Sequence, residues 1–512
     1  MREYDVNNLS EQAFDTMLQS SMSDLPPDDI VYDVTPWRKA INRILTGFAL
    51  GAITLNFVGL NYFLPAVGMI LTLLGFRALR IENNWFRACW NLTLIRCIYF
   101  FPTLILNTTI YQRSFYASAL ASILNVVNMI IIFLLYACFW KALKTVKEKA
   151  GLESKAGGAV ALILWNAIVC FLGLLQIHGD LIIGIILLIA YICIIRSLVK
   201  LSKELDEAGY CISTAPVRFT DRTISITLVV ALLIGCGCGY LFFHQYPMKW
   251  QIASHSKSTE VQEIKNHLVS LGFPEHIVDD LTEDDLLSCK DAVHVVVSVN
   301  DHPLNKGRRV QELQDDNVIH IYTAYDVKEL RITGIGVQLP GEREQWKIIH
   351  HFQWVVDPAF HGTDVVQLWP AYRDCRGWIS ASDITGQVLY NEGERIYRAP
   401  YFSLGDETYT SNSIFWGEQT STDVFAEFSM PNKGENHRGY VSYTVKEGQD
   451  GWLVNAWINY THQTTWFQYP AITAKEKHMT AGLSDTDTFQ TIQDALQFSP
   501  NEEPESPNGC ND

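Results

Sequence analysis

The sequence predicts a multi-pass α-helical membrane domain of about seven segments, the first two a hairpin, followed by an extracytoplasmic all-β antiparallel sandwich on a short helical neck. Three observations predict it. Apolar stretches of membrane-crossing length fill the chain up to residue 246. Lys and Arg gather in every second gap between those stretches. After residue 291 the apolar period becomes two, in a tryptophan-rich segment punctuated by turns.

Residues 1–37 form an acidic tail with eight carboxylates and only Arg2 as a base. It has no basic-then-apolar start, so the first membrane segments are expected to act as the insertion signal. One short amphipathic helix fits Leu9, Phe14, Met17 and Leu18, and the tail could instead stay loose.

The membrane domain is expected over 38–246. A bilayer core of roughly 30 Å needs about 20 apolar residues per helix. Segments 90–110, 117–140, 157–176, 179–199 and 223–243 meet that length. Ile44–Phe76 is too long for one crossing and short for two. With Asn56, Asn61 and Pro65 near its middle, it reads as a hairpin of 40–58 and 61–77. One set of flanks holds 16 bases, from Arg38 to Arg222, and the alternate loops hold Arg113 alone. Basic loops stay cytoplasmic. The N-terminus is therefore expected in the cytoplasm and everything after Tyr246 outside.

Polar residues at membrane depth are functional candidates. Arg96 lies six residues into the third segment, where it either snorkels to the interface or marks a site. Asn125 and Asn128 share one helix face and either join neighbouring helices or line a path. Gly47–Gly51 and Gly235–Gly239 are small-xxx-small patterns that permit close helix approach. The stretch 25–39, with Asn61-Tyr-Phe-Leu-Pro65 and Leu74-Gly-Phe-Arg-Ala-Leu-Arg80, resembles uncharacterised multi-pass membrane proteins of Gram-positive bacteria over residues 25–97. That resemblance implies a host class and no mechanism.

The net charge is −16, and residues 247–512 hold 39 acidic against 20 basic side chains. Such a surface repels phosphate, so no nucleic-acid partner is expected. Seven of the 11 cysteines lie in or beside apolar segments and read as buried hydrophobes. Cys289 and Cys375 could pair in an oxidising space, and Cys510 reads as free. No cofactor motif, catalytic constellation or metal-ligand spacing is present, so no catalytic residue, cofactor or metal is assigned.

Residues 247–290 predict a small helical neck or cap, with Thr282-Glu-Asp-Asp285 as a capping box. Residues 291–477 predict the sandwich, with strands at 292–299, 317–324, 329–338, 346–355, 364–370, 377–382, 387–391, 396–402, 413–418, 422–430, 438–446 and 451–461. Residues 478–512 read as a disordered acidic tail. Parity puts Trp452 in the core and Trp457 beside Asn455 and Asn459 on the polar face. Trp378 falls with Ser380 and Ser382. An exposed indole flanked by amides and hydroxyls can stack a sugar ring, so Trp457, Trp378, Asn455 and Asn459 are the candidate ligand residues, unless they cover a second sheet or loop. His350 reads as core, His351 as exposed, and His361 as a loop residue.

The favoured function is a ligand- or partner-binding and sensing module, recognising an extracellular glycan or protein. The helices, set in the lipid bilayer, are expected to anchor it or to relay its state to the N-terminal tail, for which a cytoplasmic partner is conceivable. One alternative is a transporter or permease-like subunit with an external cap. A second is an extracytoplasmic enzyme, supported only by the size of the exposed half.

Overall fold

The computed structural model describes residues 36–52, 59–175, 181–210, 212, 218–253, 258–313, 319–369, 377–413, 417–448, 453–481 and 487–500. Trp452, Cys375, Cys510 and the N-terminal tail lie outside them. The chain divides into two compact units. One is Met1–Ile105 with Ser114–Gly235; the other is Leu106–Arg113 with Cys236–Asp512.

The long helices, which make up the first unit apart from the last turns of α8, are α1 (Pro36–Ala52), α2 (Leu60–Leu79), α3 (Asn84–Leu106), α5 (Ala119–Lys149), α6 (Gly157–Leu174), α7 (Leu181–Glu207) and α8 (Asp221–Phe242), with a five-residue α4 (Gln112–Tyr116), split between the units, between α3 and α5. Six of them, α2, α3 and α5 to α8, are long and apolar enough to cross a membrane. Helix α1 has 17 residues, three of them basic, about 25 Å at 1.5 Å per residue.

Helices α1 and α2 run antiparallel and nearly touch, because glycines face the contact. A Cβ on Gly68 would meet the Gly47 carbonyl oxygen at 2.6 Å, and one on Gly75 the Ala40 oxygen at 2.7 Å. The Gly47 end of the small-xxx-small pattern thus lies in a helix contact; Gly51 has open space where its Cβ would be. Gly235 packs on Ile105, while Gly237 faces open space. An aromatic cluster of Phe48, Phe76, Phe86 and Phe139 meets edge-on or tilted at 5.5–6.4 Å.

The basic flanks find acids inside the same unit. Arg43 and Arg77 both pair with Asp221. Lys149 and the Tyr210 hydroxyl meet Glu82, Lys147 meets Glu204, and Arg38 meets Asp206. The start of α1, the ends of α2, α5 and α7 and the start of α8 thus gather at one end of the bundle.

The second unit is antiparallel and β-rich. Its strands are β1 (Gln251–Ile252), β2 (His294–His302), β3 (Arg308–Leu313), β4 (Ile319–Ala324), β5 (Leu330–Leu339), β6 (Gln345–Trp354), β7 (Asp364–Trp369), β8 (Trp378–Ser380), β9 (Thr385–Glu392), β10 (Arg395–Ala399), β11 (Ser403–Ser413), β12 (Gly417–Phe428), β13 (Glu435–Glu447), β14 (Val454–Gln463) and β15 (Phe489–Phe498). One sheet runs β1-β10-β9-β13-β6-β5-β2, with β8 also on β13; the other runs β11-β12-β7-β14-β15; β3 and β4 make a separate ribbon. One apolar cluster draws on both large sheets, including Ile348, Phe352 and Val441 from the first and Val366, Phe428, Ile458 and Tyr460 from the second.

Four expectations change. Residues 478–512 are not a wholly disordered tail, because β15 pairs with β14 along all ten residues. Ile492, Leu496 and Phe498 face the shared core through a Gln- and Thr-rich strand whose composition hides it. Residues 247–290 form a cap rather than the neck. Helices α9 (Thr259–Ser270), α10 (Glu275–Val278) and α11 (Glu283–Leu287) pack on the first sheet, where Val261, Ile264 and Leu286 join Ile335, Ile349 and Tyr440. That cover explains the third change: His351 is buried, its Nε2 3.0 Å from Asp280 Oδ2. Fourth, the single strand expected at 413–418 is divided: Ser413 ends β11 and Gly417 begins β12, with 414–416 outside the described residues.

Candidate functional site

The second sheet turns one face to the shared core. Its outer face is covered at one end by helix α12 (Ala474–Ala481), where Ala474 and Met479 pack on Val365, Phe425 and Phe489. The rest of that face carries the site.

Strand β14 alternates as its sequence requires. Val454, Ala456 and Ile458 are buried in the core, which puts Asn455, Trp457 and Asn459 on the outer face. Register sets Trp457 opposite Trp369 of β7, and the two indoles lie 6.3 Å apart at 51°. Trp369 is 45 % exposed, and Trp457 is half-buried. Around them runs a polar ladder. Asn459 Nδ2 donates to Gln367 Oε1. Gln367 Nε2 donates to Asp423 Oδ2 at 3.0 Å, and the Tyr409 hydroxyl donates to the same oxygen at 2.9 Å. On the other side Gln497 Nε2 donates to Asn455 Oδ1. Asn459 Oδ1 is buried with no hydrogen-bond partner among the described residues. Two flat apolar faces flanked by amides suit a ring that is apolar on one face and hydroxylated at its edge.

Of the sequence-predicted ligand residues, Trp457, Asn455 and Asn459 come together here and Trp378 does not. Trp378 is 3 % exposed and belongs to the shared core. Strand β8 has only three residues and pairs at the end of β13, Trp378 opposite Glu447, so alternation over so short a run does not fix its side. Trp369 was missed, although its face follows from the register with Trp457.

In the helical unit Arg96 lines a cavity of about 270 Å³ with Gly47, Gly68, Tyr136, Trp165 and Asn166. Arg96 Nε and Asn166 Nδ2 are buried and have no hydrogen-bond partner among the described residues. Asn125 accepts the Tyr99 hydroxyl at 2.8 Å, tying α5 to α3. Asn128, a turn further along α5, is half-buried.

A second polar cluster was not legible in the sequence. His361, in the loop after β6, and His437, on β13, place their rings 4.6 Å apart. Both are buried. Asp357 Oδ1 lies 2.7 Å from His437 Nδ1, and His437 Nε2 lies 3.3 Å from the Lys433 carbonyl. Burial first, then the neighbouring His437, pushes His361 down to about 4.

Comparison with known proteins finds no matching family and no similar curated chain.

Proposed function

We propose that this is a multi-pass membrane protein displaying an extracytoplasmic β-sandwich that binds a glycan or a protein ligand, with α1 and α2 as a first hairpin of seven segments. The half-exposed indole pair of Trp457 and Trp369 on an amide-lined sheet face carries the reading. The base-rich flanks gathering at one end of the bundle support the topology, because positive loops stay cytoplasmic.

The test uses the full-length chain in detergent and soluble N-acetylglucosamine oligomers as probe, read by tryptophan fluorescence. Aromatic stacking is worth about 1–3 kcal/mol per ring, measured for bases and used here as a scale. Trp457→Ala and Trp369→Ala are each expected to weaken binding about 5- to 150-fold with a nearly unchanged melting temperature. Unchanged affinity in both variants, or absence of any binding by the parent chain to glycans and to cell-surface protein extracts alike, rejects the site.

A second reading, a transporter with an external cap, is favoured by the Arg96 cavity alone. Met69→Cys in its wall should then react with small aqueous thiol reagents. Protection from them favours helices that only anchor.

A further inference from the structure

We propose that Asp357, His361 and His437 form a binding site for one zinc-type divalent transition ion. One ligand atom from each lies within 4.8 Å of the others. Asp357 and His361 lie in the loop after β6 and His437 near the start of β13, and the pairing of β6 with β13 brings loop and strand together. The two imidazoles are 5 % and 1 % exposed, face each other at 4.6 Å, and neither offers the other a charge partner. His361 Nδ1 is buried without a hydrogen-bond partner among the described residues. Leaving such a nitrogen empty is costly, and a transition ion is a ligand that two imidazoles and a carboxylate hold together.

The donor set is two nitrogens and one oxygen. It suits zinc and its neighbours, whose imidazole and carboxylate bonds are about 2.0–2.2 Å, and not calcium or magnesium, which take oxygen cages. Ligands around a tetrahedral centre of that size stand about 3.3 Å apart. On loading, the ion replaces the proton shared by His437 Nδ1 and Asp357 Oδ1, and their 2.7 Å contact opens slightly. The His361 ring moves in by about 1.5 Å or less, which a loop residue can do. Asp357 is exposed and gives the ion its entry from solvent; a water completes the fourth position. The ring of Tyr390 stacks on His437 at 5.9 Å and steadies it from behind.

The experiment takes the full-length, untagged protein in detergent, strips it with a chelator, and titrates it with Co²⁺, followed by its visible absorption. One Co²⁺ per chain, displaced by Zn²⁺, is expected. His361→Ala and His437→Ala should each weaken it by at least about 100-fold, and Asp357→Asn by about 10- to 100-fold. His350→Phe, at a buried histidine elsewhere, should leave the titration unchanged. Because Asp357 is at the surface, its variant folds even if the buried histidine variants do not. No saturable Co²⁺ binding by the parent chain, or binding equally tight in Asp357→Asn and His361→Ala, overturns the site.

Discussion

Asp285 shows how one buried carboxylate holds the helical cover to the first sheet. Its Oδ1 accepts from Lys347 Nζ at 2.8 Å, Thr385 Oγ1 at 2.7 Å and Ser442 Oγ at 3.0 Å, and its Oδ2 accepts from the Tyr440 hydroxyl at 2.6 Å. Burial alone would raise its pKa; the Lys347 charge and these donors outweigh burial and bring it to about 2. A carboxylate held low stabilises the fold above its unfolded value of about 3.9, and that contribution fades as pH falls toward 2. Asp285→Asn leaves the Lys347 ammonium buried and uncompensated, so a loss of about 3–5 kcal/mol is expected in chemical unfolding at pH 7. His350 works in the opposite chemical sense with the same sign in pH. It is fully buried, both ring nitrogens lack partners among the described residues, and burial, only partly opposed by Asp494, pushes it down to about 4. The unfolded chain binds that proton first, so stability should drop between about pH 6.5 and 4, by on the order of 3 kcal/mol for this residue. His350→Phe keeps the ring and removes the titration. Its melting temperature should change less than the parent's between pH 7 and 4.5; an identical pH dependence would place the drop at other groups.

At the scale of elements, β15 decides whether the second sheet is complete. Two glycines in β5 make room for it. A Cβ on Gly334 would meet Leu496 Cβ at 2.9 Å, and one on Gly336 would meet the Phe498 ring at 3.0 Å. Leu496→Ala should therefore destabilise the β-rich unit by about 2–5 kcal/mol, and truncation before Phe489 should aggregate, because it bares the β14 edge and part of the core. A chain cut there that stays soluble with an unchanged melting temperature would show that β15 adds nothing. In the helical unit, Gly68→Val should splay α1 from α2 at a cost of about 1–3 kcal/mol in detergent, whereas Gly173→Ala, which meets nothing within 4 Å, should be neutral. These cases also mark what the sequence could convey. Strands such as β6 and β13 alternate cleanly, and β14 does so well enough to place Trp457 and Asn459 on one face. Strands β11 and β15 were invisible because Asp, Gln, Ser and Thr are spread through both, on both parities, and leave too few apolar residues to show an alternation. His351 was misplaced because parity assigns a face without saying what covers it. His361 and His437 meet only through the pairing of β6 with β13, which no local spacing encodes.

For the whole molecule, the acids that meet the basic flanks bear on topology. Glu82, Glu204, Asp206 and Asp221 take up Lys149, Lys147, Arg38, Arg43 and Arg77, all in or beside the same set of loops. Acidic residues contribute little to orientation, so these pairs leave the positive-inside signal intact while joining the helix ends. Arg77 is the key member, since it is buried, pairs with Asp221 at 2.9 Å and also donates to the Phe219 carbonyl. Orientation and packing can then be separated. Removing the exposed bases Lys141, Lys144 and Lys155 should weaken the bias of one loop while leaving the Arg77–Asp221 link in place. Arg77→Leu should loosen the bundle without inverting it. The direct measurement is protease added to intact cells stripped of any wall, with tags at both ends. Digestion should remove the chain beyond about residue 250 and spare the N-terminal tag, in the parent and in Arg77→Leu alike. Loss of the N-terminal tag with the β-rich unit protected would reverse the assignment, and with it the expectation that Trp457 and Trp369 face an extracellular ligand.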